Sequence, residues 1–263
     1  MIHGMWCGAW CWDRYKDYFE SAGYRCIAAT LPFHDEAARN SPDPRLGRTS
    51  LLDYADALAE EIAALPEKPI LMGHSMGGLL ALMLAARGLA EAAVLLTPAS
   101  PAGIIGITPS VLRSFTGIIS RWAFWNKTTF PTMRAAIYGA LHLTPDAERK
   151  AVFERLVHES GRAFFEMGLW PFDRRHASRV DATRVQCPML VIAAGQDRST
   201  PASVVRKLAE EYRHVAEYRE FPNHAHWVLG EPGWEEIADS VLDWLRKHEP
   251  ISEVMPPASS ASR

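Results

Sequence analysis

The chain reads as an α/β protein: a mostly parallel sheet flanked by helices and interrupted by a helical insertion. Three observations predict this. Short apolar runs are continuous rather than alternating, as in strands buried on both faces. Amphipathic helical stretches separate those runs, and strand alternating with helix implies parallel pairing. One aromatic-rich stretch breaks the alternation.

Each element follows in order. "WDRYKDYFESAG" predicts a first helix stopped by Gly23. "YRCIAATLP" is a β-type run closed by Pro32, with a strand expected over Tyr24 to Ala29. "SLLDYADALAEEIAAL" predicts a helix with Ser50 as candidate N-cap, and Asp53 three residues on approximates a capping box. "KPILMG", "AAVLLTP" and "CPMLVIAAGQD" are buried strands. "SVVRKLAEEY" and "WEEIADSVLDWLRKH" are later helices, with another β-type run, "YREF", between them. Residues 1–100 and 181–248 thus form the sheet-bearing core. Residues 101–180, rich in Phe and Trp, are expected to be helices and loops without a convincing strand. Residues 249–263, with Pro and Ser and little to bury, are expected to be disordered.

Bulk composition narrows the function. The chain has 263 residues, 48% of them hydrophobic, enough for a sizeable core. A net charge of -3 points to neither nucleic acid nor an anionic membrane. No apolar run approaches the roughly 20 residues of a membrane-spanning helix. The first residues lack a signal-peptide pattern. Four cysteines, Cys7, Cys11, Cys26 and Cys187, are too few for a disulfide framework and read as small buried hydrophobes. A reducing cytoplasm fits that usage. No metal and no organic cofactor is called for; the partner expected is a small-molecule substrate.

The chemistry concentrates at "GHSMGG". A strand runs into a helix through a sharp turn, with Ser75 at its apex and Gly73 and Gly77 two positions to either side. Small neighbours relieve crowding at such a turn, and the helix start supplies unpaired N–H groups and a positive dipole end. A serine hydroxyl is a poor nucleophile until a base takes its proton. Later strand ends deliver the partners in the required order. Asp197 follows "LVIAAGQ", and His224 and His226 follow "YREFPN".

With those residues in place, the chain resembles the α/β-hydrolase fold family over nearly its whole length. The matching segments are His3-Gly4, "GHSMGG", "GQDRSTP" and "HWVLGEP". The resemblance implies a triad of Ser75, Asp197 and His226. His226 stands five residues before Glu231, which favours it over His224 as the base. It also implies an oxyanion hole from the backbone N–H groups of Met5 and Met76. The start, "HGMWCGAWCWDRYKDYFESAGYRCIAATLP", is similar to the plant methylesterase and hydroxynitrile-lyase branch. Trp10 and Trp12 in it read as core packing. Trp227 stands where hydroxynitrile lyases have Lys, which argues against cyanohydrin cleavage, and Ser75 argues against dehalogenase-type chemistry. The function implied is hydrolysis of a small or medium hydrophobic ester. Thioester, lactone or carbon–carbon hydrolysis would use the same triad, and a small-molecule receptor is the alternative of another class.

The resemblance carries one further expectation. In the family a buried strand leads into the His-Gly turn, between the run at Tyr24–Ala29 and the strand ending at Gly73. Only Met1 and Ile2 precede His3 here, so this strand is expected to be truncated and residues upstream to supply the rest.

Overall fold

The computed structural model describes residues 1–248; the expectation for the tail falls outside them. Four strands form one parallel sheet in the order β1 (Ile70–His74), β2 (Ala92–Leu96), β5 (Met189–Ala194), β6 (Ala216–Phe221). Registers run Gly73 to Leu95, Leu95 to Val191 and Val191 to Tyr218. Between β2 and β5 the chain also forms β3 (Thr128–Thr129) and β4 (Glu159–Ser160), an antiparallel pair. The insertion therefore does contain strands. At two residues each they are too short to leave a periodic signal.

Successive residues on a strand point to opposite faces, and the two halves of the core follow from that. Leu71, Ala93, Leu95, Val191 and Ala193 pack on one face, with α2 (Leu51–Ala63), α3 (Met76–Ala86) and α8 (Ala202–Glu211). Met72, Val94, Leu96, Leu190 and Ile192 pack on the other, with α1 (Asp13–Ser21) and α9 (Trp234–His248). Helix α3 is buried along nearly its whole length, which explains its uniformly apolar sequence. The capping box of α2 is present, with the Ser50 N–H donating to Asp53 at 2.8 Å. Gly23, at φ 94°, turns the chain after α1.

The insertion adds α4 (Pro109–Ile119), α5 (Met133–Ala136) running into a π-turn at Ile137–Leu141, α6 (Asp146–Arg155) and α7 (Gly161–Gly168). Two buried carboxylates tie it to the core. Glu159 accepts from the Tyr54 hydroxyl at 2.8 Å and pairs with His34 at 3.0 Å, both side chains fully buried. Glu166 accepts from the Ser50 hydroxyl at 2.9 Å and from the Leu51 N–H at 2.8 Å, at the N-terminus of α2. A carboxylate suits that positive helix end.

The Tyr24–Ala29 run is not a strand. Its one ladder contact is a bridge from Ala29 to Ile2, and Ile2 bridges Gly73 on its other side. Ile2 thus sits where the strand before the His-Gly turn was expected. The Ile2 N–H donates to Met72 O at 2.7 Å, and the Ala29 N–H to Met1 O at 3.0 Å. A run of β-formers needs a neighbour along its length, and Met1 and Ile2 reach only its last residues. Beside them lies a largely apolar cavity of about 440 Å³, lined by Ile2, Ile27, Ala29, Leu58 and Leu71.

Candidate active site

The site lies at the carboxyl ends of the strands, where loops of a parallel sheet converge. Ser75 follows β1 directly, at φ 54° and ψ -120°. This backbone is strained for a residue with a side chain. Close packing holds it there. A Cβ on Gly73 would lie 2.1 Å from Gly77 O, and one on Gly77 would lie 2.1 Å from Ile2 O. Both glycines are thus required by the approach of backbone to backbone. The Ser75 N–H donates to Leu96 O at 3.0 Å, locking the turn to the end of β2.

Three side chains from three strand ends meet. His226 Nε2 lies 3.0 Å from Ser75 Oγ, and His226 Nδ1 lies 2.7 Å from Asp197 Oδ2. His226 and Asp197 are both buried. Asp197 is held by the N–H groups of Ser199 at 2.7 Å and Thr200 at 2.8 Å, both on Oδ1. Thr200 Oγ1 stands 2.8 Å from Asp197 Oδ2, 3.3 Å from His226 Nδ1 and 3.0 Å from Thr97 O. With Nδ1 protonated toward the carboxylate, Nε2 is left as the acceptor for the serine proton.

Two turns meet beside Ser75. Met76 is the first residue of α3, so its N–H has no intrahelical acceptor. Gly4 packs so closely that a Cβ there would lie 2.9 Å from Ser75 Cβ, which brings the His3–Met5 loop against Ser75. Met5 lines the same cavity as Ser75 and His226. That cavity is about 80 Å³ and mostly apolar, walled also by Trp6, Phe115, Ala136, Leu141 and Trp227. Of the aromatics in the insertion, Phe115 alone lines it among the described residues. Phe124 and Phe164 pack with Ile118 in a cluster behind it, against which Met5, Trp6 and Phe115 also rest.

His224 is absent from this constellation. Its Nδ1 lies 3.0 Å from Glu231 Oε1, which also accepts the Ala225 N–H at 2.7 Å. The hydrogen bond to Glu231 raises the His224 pKa. The pair ties together the two ends of the loop that carries His226.

Two contributors escaped the sequence reading. Thr200 holds the Asp197 carboxylate, and its signal was the Ser-Thr pair soon after Asp197, the pattern of a side-chain turn. His74 is buried beside His226, with ring centroids 4.9 Å apart. Burial, then the nearby His226, pushes its pKa down to about 3. It is therefore neutral and donates from Nε2 to His226 O at 2.8 Å, fixing the backbone of His226 without adding charge. Nothing distinguishes that histidine locally from any other residue before the serine.

The fold and this site define an α/β hydrolase. The model of the Alpha/beta hydrolase family matches residues 1–240, and the chain belongs to that family. Polyneuridine aldehyde esterase of Rauvolfia serpentina is 37% identical over 81 residues, 30% of this chain and 29% of that protein. Norfluorocurarine synthase 1 of Strychnos nux-vomica is 41% identical over 81 residues, with the same shares of 30% and 29%. The matched segment thus spans less than a third of these curated relatives. The crystal structure of an Arabidopsis methylesterase superposes with a TM-score of 0.69 at 15% identity, covering 94% of this chain and 98% of that one. A monoacylglycerol lipase from Paleococcus ferrophilus gives 0.69 at 23%, covering 94% and 93%. At such identities these two similarities concern the fold alone.

Proposed function

We propose that the protein is a serine esterase that cleaves small or medium hydrophobic carboxylic esters through an acyl-enzyme. The observation that carries this reading is the unbroken chain Ser75 Oγ, His226, Asp197 at 3.0 and 2.7 Å, opening into an apolar cavity. Ser75 Oγ attacks the carbonyl carbon as His226 Nε2 takes its proton. Asp197 stabilises the imidazolium that forms and stays ionised itself. The Met5 and Met76 N–H groups take the tetrahedral oxygen, a contribution of about 3 kcal/mol per donor in sites of this kind. His226 then hands the proton to the leaving alcohol. Water, activated by the same imidazole, releases the acid and restores Ser75. The names esterase and methylesterase among the relatives favour an oxygen ester. A cavity of about 80 Å³ favours a small acyl group.

The test is Ser75→Ala with short-chain aryl esters. Turnover should fall at least ~10³-fold with the melting temperature within a few degrees of the parent. A fluorophosphonate probe should label the parent at Ser75 and leave the variant unlabelled. Residual turnover within tenfold of the parent would remove Ser75 as nucleophile. A parent that binds esters without turning them over would be a receptor.

A further inference from the structure

The outer side of the insertion has a composition unlike the rest of the chain. No Asp or Glu occurs between Glu91 and Asp146, while Arg113, Arg121, Lys127 and Arg134 do. The chain as a whole carries -3, so this segment is a local reversal of sign. Arg113, Arg121 and Arg134 are exposed, and none of the three is ion-paired among the described residues. Arg113 lies over the Tyr138 ring at 4.1 Å.

The same segment exposes large apolar side chains. Of the seven such residues in the described chain, five fall within eighteen positions: Ile105 at 68%, Ile107 at 52%, Leu112 at 48%, Ile119 at 40% and Trp122 at 83%. The other two are Ile27 and Phe172. Leu112 and Ile119 are seven apart on α4, so they share one side of the helix. Phe115, three after Leu112 and four before Ile119, falls in the same stripe, and with Ser114 it lines the cavity of Ser75 and His226. The exposed apolar side chains of α4 thus border the wall of that cavity, and Arg113 is exposed on the same helix.

We propose that this surface docks on anionic lipid, with α4 and the flanking Ile105, Ile107 and Trp122 seated in the headgroup region. Apolar exposure alone names no partner. Arginines interleaved with Leu, Ile and Trp are the composition that binds at a lipid interface, where apolar burial and headgroup charge act together. The overall charge does not oppose this. At physiological salt the Debye length is about 8 Å, so the headgroups feel the nearby arginines and not the acids elsewhere. Docking in this pose brings the wall of the catalytic cavity to the membrane surface. The proposal stands apart from the esterase reading, because binding needs no turnover.

The experiment is co-sedimentation of the full chain with vesicles of phosphatidylcholine, with and without phosphatidylglycerol. The parent should partition onto the mixed vesicles at least fivefold more than onto pure phosphatidylcholine, and less at high salt. Trp122→Ser, and Leu112→Ser with Ile119→Ser, should each weaken partitioning at least fivefold. Arg113→Gln with Arg121→Gln should abolish the preference for the anionic lipid. Melting temperature and turnover of a soluble aryl ester report whether the variants fold. A parent that stays in the supernatant with mixed vesicles overturns the proposal, as do well-folded variants that bind like the parent. A concentration-dependent dimer that Trp122→Ser dissolves, without vesicle binding, would make this a self-association face and also overturn it.

Discussion

The rim of the sheet that carries Ser75, Asp197 and His226 and the insertion above it are held by different means. On the rim, each functional group is fixed by its own turn: Ser75 to Leu96 O, Asp197 to the Ser199 and Thr200 N–H groups, the His226 loop by Glu231 and His74. Apart from the His74 bond, which crosses from the end of β1 to the loop after β6, these are contacts within a turn or between adjacent strand ends. The insertion is held at long range, through Glu159 on His34 and Glu166 on the start of α2. Its residues before Asp146 contribute no carboxylate to such anchoring. Geometry on the rim should therefore govern the rate of chemistry, and the anchors should govern stability.

The sharpest break of this comparison is at the two histidines. His226→Ala should lower turnover by about 10³-fold or more, and His224→Ala by less than tenfold with a lower melting temperature. Parallel kinetics of the two variants decide it. A larger kinetic loss at His224 would reverse the assignment.

Next come the anchors. Glu159→Leu leaves His34 buried opposite an apolar group and should cost about 3–5 kcal/mol in urea unfolding. Turnover per folded molecule should change little. A large fall in turnover at unchanged stability would show that the insertion's anchor acts on the chemistry.

The same pair gives a pH signature. Burial by itself would lower the His34 pKa, but the facing Glu159 carboxylate raises it above its ordinary 6.5. That contribution is complete below about 6.5 and is lost as pH rises through the folded value. Burial by itself would raise Glu159, but His34, the Ser160 N–H and Tyr54 hold it below its ordinary 4.5. That contribution is complete above about 4.5 and is lost as pH falls through the folded value. The stability gap between the parent and a His34→Gln, Glu159→Gln double variant should peak between these two values and narrow on both sides. A gap that stays flat from pH 4 to 9 would mean the pair is not ionised.

The smallest effect is at Thr200. Thr200→Val removes one hydroxyl from Asp197 and keeps the backbone N–H bonds. It should lower turnover about tenfold, the equivalent of roughly 1.4 kcal/mol, with stability nearly unchanged. An unchanged rate would mean the two N–H groups suffice to aim the carboxylate.

This contrast also explains what was legible beforehand. Ser75, Asp197 and His226 are marked by short local patterns, because a turn must be built from neighbours in sequence. The sheet could be read from its continuous apolar runs. The Tyr24–Ala29 run was misread because its composition is that of a strand, while pairing depends on what lies beside it. The anchors were invisible for a related reason. Glu159 meets His34 across 125 positions, and Glu166 meets Ser50 across 116. A lone Glu in a loop or helix carries no mark of such a partner. The short strands β3 and β4 belong to the same class: they exist because the chain returns to itself.

The backbone at Ser75 has a consequence for anyone who evolves this protein. At φ 54° and ψ -120°, glycine is more comfortable than serine. Ser75→Gly therefore relaxes the turn while deleting the nucleophile. A library selected for heat resistance alone would favour that exchange, and only a screen that also demands product would keep the serine.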